Sequence, residues 1–169
     1  REMLKRVLDL AGQRRESGVY AAPEGAPRVI VSGCPMAEGT LKVIETIEES
    51  GGIVVVQETC SGWKPLGPVS EEGDPLEAIA EKHFRIPCSC MTPNTGRLEL
   101  LRELAGTFRA DAVVDLVWQA CHTYSVESFT VSEFVKRELG LSYLKVETDY
   151  SNADRERLGI RIQTLLEMI

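Results

Sequence analysis

At 169 residues the chain is long enough for one domain with a real core, and its net charge of −7, from 26 acidic against 19 basic side chains, argues against a partner gripped by its phosphate backbone. No apolar run approaches the roughly 20 residues that span a bilayer, and no secretory leader opens the sequence, so neither nucleic acid nor membrane is an expected partner. The cysteines are Cys34, Cys60, Cys88, Cys90 and Cys121, an odd number. Without a leader they read as reduced cytoplasmic thiols rather than a disulfide framework, which leaves inert core residues, metal ligands and redox groups as open roles.

Residues Arg1 to Ser17 read as an amphipathic helix, with Leu4, Val7, Leu8 and Ala11 at helical spacing. It is expected to dock on this domain or on a neighbour. Arg1 falls inside the helical pattern without an initiator Met, which reads as a piece of a longer polypeptide. Gly18 to Pro27 is rich in Gly, Ala and Pro and reads as a linker, so residues 1–27 stand apart from an α/β domain at 28–169.

Arg28 to Ser32 is a β-branched apolar run before Gly33-Cys34-Pro35 and forms the first predicted strand. A helix follows from Gly39 to Ser50, stopped by Gly51-Gly52. The second strand is Ile53 to Val56, continuing to Glu58-Thr59-Cys60. A long loop, Ser61 to Gly73, carries Trp63, which is read as a packing residue. Asp74-Pro75 starts a helix to Phe84, with Asp as cap and Pro at the first helical position. His83, late in it, is read as a surface residue. The loop Ile86 to Asn94 holds Cys88 and Cys90, and Asn94 or Thr95 caps a helix to Arg109.

The third strand starts at Ala112 and delivers Trp118-Gln119-Ala120-Cys121-His122 at its carboxyl end. A helix from Val126 to Leu139 ends at Gly140, and Leu141 to Glu147 is the fourth strand. Ser151-Asn152-Ala153-Asp154 resembles a capping box before a last helix to Met168. Strands alternating with helices predict an α/β fold: a four-stranded parallel sheet with helices on both faces, doubly wound and flavodoxin-like in the order 2-1-3-4.

That topology places Cys34, Cys60 and Cys121 on one sheet edge. Cys34 and Cys121 flank the crevice between the first and third strands, where open α/β sheets bind ligands. Cys60 lies one strand away, about 5 Å further along. Soft thiolates on one edge suit zinc or iron–sulfur chemistry. A closed zinc site is disfavoured, since there is no Cys-x-x-Cys and Cys88-Ser-Cys90 is too short. Cys34 in its turn can equally be a small buried hydrophobe. His122 is either functional or a partner of a loop carbonyl. Glu58 and Glu127 either move protons or satisfy backbone amides. Nucleophile elbow, Walker and dinucleotide glycine motifs are absent. A redox domain, an assembly module with structural cysteines and, least supported, a zinc hydrolase remain.

Four segments in order carry a resemblance: Val31-Ser32-Gly33-Cys34-Pro35, Gln57-Glu58-Thr59-Cys60-Ser61-Gly62, Trp118-Gln119-Ala120-Cys121-His122, and Val146-Glu147-Thr148-Asp149-Tyr150-Ser151 with Arg161 and Leu166-Glu167-Met168 beyond. Residues Pro27 to Ile169 resemble the carboxyl-terminal domain of the 2-hydroxyacyl-CoA dehydratase and benzoyl-CoA reductase family, which includes the double-cubane cluster proteins. The resemblance implies a cytoplasmic, oxygen-sensitive protein of anaerobic metabolism. An iron–sulfur cluster, [4Fe-4S] or an [8Fe-9S] double cubane, would lie between α/β domains. An ATP-dependent iron–sulfur activator would deliver a low-potential electron for reduction of a difficult substrate. Cys121 and Cys60 would be ligands to cluster iron, with Cys34 a further matching position and His122, Glu58 and Glu127 around them. Cys121-His122, where dehydratases commonly have Cys-Asp, and the extra thiol of Cys60 look closer to the double-cubane branch. The alternative implied is a subunit that eliminates water from a 2-hydroxyacyl-CoA. The protein's own amino-terminal domain would complete the ligand set, and a homodimer or a heterodimer with a related subunit is implied. The isolated piece would be inactive.

Overall fold

The computed structural model of the chain describes residues 2–37 and 40–169. The expected helix starts at Arg1 and Gly39 lie outside these residues. Helix α1 (Glu2–Glu16) has no buried residue, so its apolar stripe is uncovered by the rest of the described chain. Strand β1 (Arg28–Gly33) leads to α2 (Lys42–Glu49), then β2 (Ile53–Glu58), α3 (Pro75–Phe84) and α4 (Thr95–Phe108). Strand β3 (Ala112–Trp118), α5 (His122–Phe134), β4 (Ser142–Thr148) and α6 (Arg155–Glu167) complete the domain.

The four strands form one parallel sheet in the order β2-β1-β3-β4, as the alternation requires. Every residue of β3 is buried, because β3 is central and covered on both faces. Alternation splits the core in two. Val29, Val31, Val114 and Leu116 pack with Val43 and Ile47 of α2 and Leu158 and Ile162 of α6. Ile30, Val56 and Val113 point the other way, onto Leu101 and Leu104 of α4 and Val131 of α5.

The same alternation positions the site. Continuing the second face toward the carboxyl edge by two residues gives Ser32 after Ile30, Glu58 after Val56 and Asp115 after Val113. Ser32 is in register with both Glu58 and Asp115, so one polar rung crosses three strands beneath α4 and α5. All three side chains are fully buried.

Two helix starts differ from the sequence expectation, while the end at Leu139 before Gly140 agrees with it. Helix α5 begins at His122, not Val126, because the buried face of its first turns is Tyr124 and Ser128, which do not read as apolar. Its last turn, Val135–Leu139, widens to π geometry before the left-handed Gly140. The expected capping box does not form. Asp154 sits just before α6 but makes no capping bond; its carboxylate takes Lys42 and Thr148 instead. Asp74 caps α3 as expected, accepting from the amides of Leu76 and Glu77.

Candidate site at the carboxyl edge of the sheet

Cys34 follows a close approach of two strands. Gly33 has φ of 103°, and a Cβ there would lie 2.1 Å from the Leu116 carbonyl oxygen, so only glycine lets the chain pass. The Cys34 amide then donates to that carbonyl at 2.8 Å. The thiol is 1% exposed and accepts the Trp118 amide at 3.4 Å. Burial pushes it up to about 12, against that amide and helped by the adjoining Cys121 thiol. Cys34 and Cys121 therefore meet across the β1–β3 crevice, as the topology predicts.

Cys121 is presented by a tight turn. Ala120 has a left-handed φ of 67°, and the Cys121 amide donates to the Trp118 carbonyl at 2.9 Å. The thiol stands at the amino end of α5. Partial burial opposes ionisation, but the Tyr124 amide, the Thr123 hydroxyl 3.7 Å away and the Cys34 thiol outweigh it, so Cys121 lies below the ordinary thiol value. His122 next to it is exposed.

Cys60 lies in the exposed turn after β2. Gly62 closes the turn: a Cβ there would be 2.3 Å from the Gln57 carbonyl oxygen. The Cys60 sulfur is 3.9 Å from the Tyr124 hydroxyl. That hydroxyl accepts from Lys64 Nζ at 3.3 Å. Burial, then the Cys60 charge, hold the Tyr124 phenol far above its usual range.

Below Tyr124 is a buried ion network that the sequence reading missed. Arg97 of α4 is wholly buried. Its Nε is 3.3 Å from Glu58 Oε2; its Nη2 donates to Ser32 Oγ at 2.9 Å and lies 3.3 Å from Asp115 Oδ1; its Nη1 donates to Glu127. The guanidinium also lies 5.0 Å from the Tyr124 ring centroid. Burial would weaken its proton, but Glu58, Asp115 and Glu127 outweigh burial and raise it. Ser32 donates to Glu58 Oε2 at 2.6 Å, and the Tyr143 hydroxyl to Asp115 Oδ2 at 2.8 Å. Lys64 Nζ is 2.9 Å from Glu58 Oε1, an ion pair held by charge, since Oε1 receives no hydrogen bond of ordinary geometry among the described residues. Glu58 and Glu127 thus hold cations rather than backbone amides.

The loop with Cys88 and Cys90 covers one side. Ser89 Oγ donates to Thr123 Oγ1 at 3.2 Å, and Asn94 donates to the Cys88 carbonyl and to Glu127. The Cys90 amide, offset in part by burial, lowers Cys88; the Cys88 thiol raises Cys90. His83 is exposed, while Trp63 packs edge-on to Phe108 at 5.4 Å.

The donors suit an iron–sulfur cluster in kind: thiols at an accessible edge, Cys121 and Cys88 lowered, with amide and hydroxyl groups aimed at sulfur. In number they do not complete one. Among the described residues no three His, Cys, Asp or Glu side chains converge as a metal-binding group. No helix among those residues is long and apolar enough to cross a membrane.

Fold and site define a class: an open parallel α/β domain that gathers thiols at the carboxyl edge of its sheet over a buried ion network. The profile of the family described as "2-hydroxyglutaryl-CoA dehydratase, D-component" matches residues 1–169, and the chain belongs to that family. It is 40% identical over 158 residues to the Escherichia coli (strain K12) protein named "Putative dehydratase subunit YjiM". The match covers 93% of this chain and 41% of that protein, so the chain spans less than half the length of this relative.

Proposed function

We propose that this domain supplies thiolate ligands to an iron–sulfur cluster in a subunit of a larger enzyme, and that the cluster is of the double-cubane type. The observation that carries the reading is that neighbouring hydroxyls at the start of α5 address two strand-end thiols. The Tyr124 hydroxyl is 3.9 Å from the Cys60 sulfur, and the Thr123 hydroxyl is 3.7 Å from the Cys121 sulfur. Groups placed to hydrogen-bond sulfur from two sides are what cluster ligation needs.

Cys121 and Cys60 are the ligands in this reading. Cys34, behind Cys121, is a third candidate that must first leave its buried contact with the Trp118 amide. Thr123 and the Tyr124 amide hold Cys121 toward its thiolate form. Glu58 and Glu127 hold Arg97 and Lys64 under the site. His122 stands exposed beside Cys121 and is available to a substrate. The cluster, when bound, supplies low-potential electrons received from an ATP-dependent iron–sulfur activator. An amino-terminal domain of the same polypeptide contributes the remaining ligands, and a related subunit pairs with it.

A second reading, a subunit that eliminates water from a 2-hydroxyacyl-CoA, is favoured by the family's own description. Anaerobic purification of the full-length protein tests both. Iron and sulfide in about equal amounts, at the content of a double cubane, with the spectrum lost or altered in Cys60→Ser and Cys121→Ser, is expected. Iron at the content of a single cubane, with dehydration of a 2-hydroxyacyl-CoA, favours the second. A colourless, metal-free protein with full partner binding overturns both in favour of an assembly module.

A further inference from the structure

We propose that Lys64 is a positioning residue: by donating to the Tyr124 hydroxyl it directs the phenol's own proton at the Cys60 sulfur. An ammonium carries donors only, so in the contact at 3.3 Å the phenol oxygen must accept. The phenol's single O–H is then free to donate, and Cys60, 3.9 Å away, is the remaining partner on that oxygen. A thiolate has no proton to give, so a ligated Cys60 accepts.

The rest of the network fixes both members. The Lys64 ammonium is wholly buried and anchored 2.9 Å from Glu58, which Arg97 and Ser32 hold from the other oxygen. Arg97 and Lys64 also lie 5.0 Å and 5.3 Å from the Tyr124 ring centroid, so the ring is held over two cations. Side chains this buried are expensive, and a purely structural pair would be replaceable by apolar packing. Here the buried ammonium donates to one hydroxyl, and that hydroxyl faces an accessible thiol. A hydrogen bond to a cluster sulfur, with a cation behind it, stabilises the more negative, reduced state.

The inference rests on Cys60 being a cluster ligand, and the experiment separates the two. Full-length protein, purified without oxygen, is compared with Tyr124→Phe, Lys64→Met and Lys64→Arg by iron and sulfide analysis, redox titration followed by electron paramagnetic resonance, and pulsed measurement of couplings that exchange in D2O. Tyr124→Phe and Lys64→Met should keep parental iron but shift the midpoint potential to more negative values and lose one exchangeable proton coupling. Lys64→Arg should restore both. Should Lys64→Met fail to fold because Glu58 loses its cation, Tyr124→Phe, which keeps the ring over Arg97, still decides whether the phenol proton reaches Cys60, without which Lys64 has nothing to direct. Iron-replete variants with parental potential and couplings overturn the inference and leave the ligand assignment standing. So does a Tyr124→Phe protein that cannot retain iron, because a group that only tunes sulfur is not needed to hold it. An iron-free parent overturns assignment and inference together.

Discussion

Arg97 of α4 reaches Glu58 at the end of β2 with Nε 3.3 Å from Oε2, and neither side chain is exposed to solvent. Removing the cation would leave Glu58 and Asp115 charged, buried and short of a partner. Breaking such a pair from one side costs about 3–5 kcal/mol. Arg97→Met should therefore lower the unfolding free energy of the chain by about that amount, read by urea denaturation. Arg97→Lys, which keeps the charge but loses the fork that spans Glu58, Asp115 and Glu127, should fall between. A loss of under about 1 kcal/mol for Arg97→Met would show that the network contributes little to folding.

The carboxylate of Asp154 lies 2.7 Å from Lys42 Nζ and accepts from Thr148 at 2.7 Å. Burial works against its charge, but Lys42 and Thr148 prevail, and Asp154 sits below the ordinary aspartate value. A carboxylate lowered by folding adds stability above its unfolded value of about 3.9, and the gain is lost as the pH falls through its folded value. Asp154→Asn should cost on the order of 1–3 kcal/mol at pH 7, because Lys42 is 4% exposed and loses the nearer of its two carboxylates, keeping only Asp149 at 3.9 Å. The gap between parent and variant should close as the pH falls below about 4. Unfolding curves at pH 7, 5 and 3 check this, and a gap unchanged at pH 3 would contradict it.

The sheet was readable because its strands are uninterrupted β-branched runs, and order followed from alternation and short connections. Cys34, Cys60 and Cys121 were readable because each falls one to three residues past a strand end. What was hidden is polar and buried. Asp115 did leave a signal: a single acid inside Ala112–Trp118, a strand with no exposed face, must have a cation. Nothing named that cation. Arg97 lies in Thr95–Phe108 among leucines and glutamates, where an arginine reads as surface, and only the packing of α4 over the strand ends turns it inward. Lys64, in a loop, gave no periodicity to read. Helix α5 was placed late because its inward face opens with Tyr124 and Ser128, both engaged with polar partners.

Gly33 decides whether Cys34 is placed at all. Any side chain there meets the Leu116 carbonyl, with Asp115 Oδ1 next at 2.9 Å, and the backbone φ of 103° disfavours L-residues regardless of space. Gly33→Ala combines a backbone clash with strain, each worth about 1–3 kcal/mol. The variant should lose about 3 kcal/mol or more, or be recovered insoluble. A Gly33→Ala protein within 1 kcal/mol of the parent would mean that β1 and β3 separate there at little cost.

Four of the thiols differ enough in environment to be ranked by alkylation of the metal-free chain under anaerobic conditions. Cys60 is exposed and should label first; Cys90 is also exposed, but the Cys88 thiol raises it, so it should follow. Cys121 is half-buried, but its thiolate is favoured by the Tyr124 amide, so its rate should climb at lower pH than that of an ordinary thiol near 8.5. Cys34 is the reverse case: 1% exposed and pushed up to about 12 by burial, it is protonated and sheltered throughout the working range. It should stay unlabelled from pH 6 to pH 9 in folded protein and react once urea unfolds the chain. The distinction matters for ligation, because a thiol that must lose its proton and leave the Trp118 amide binds iron late or not at all. Mass mapping after short iodoacetamide pulses reads each site separately. Equal rates for Cys34 and Cys60 in folded protein would place Cys34 on the accessible edge and make it as good a candidate ligand as Cys60.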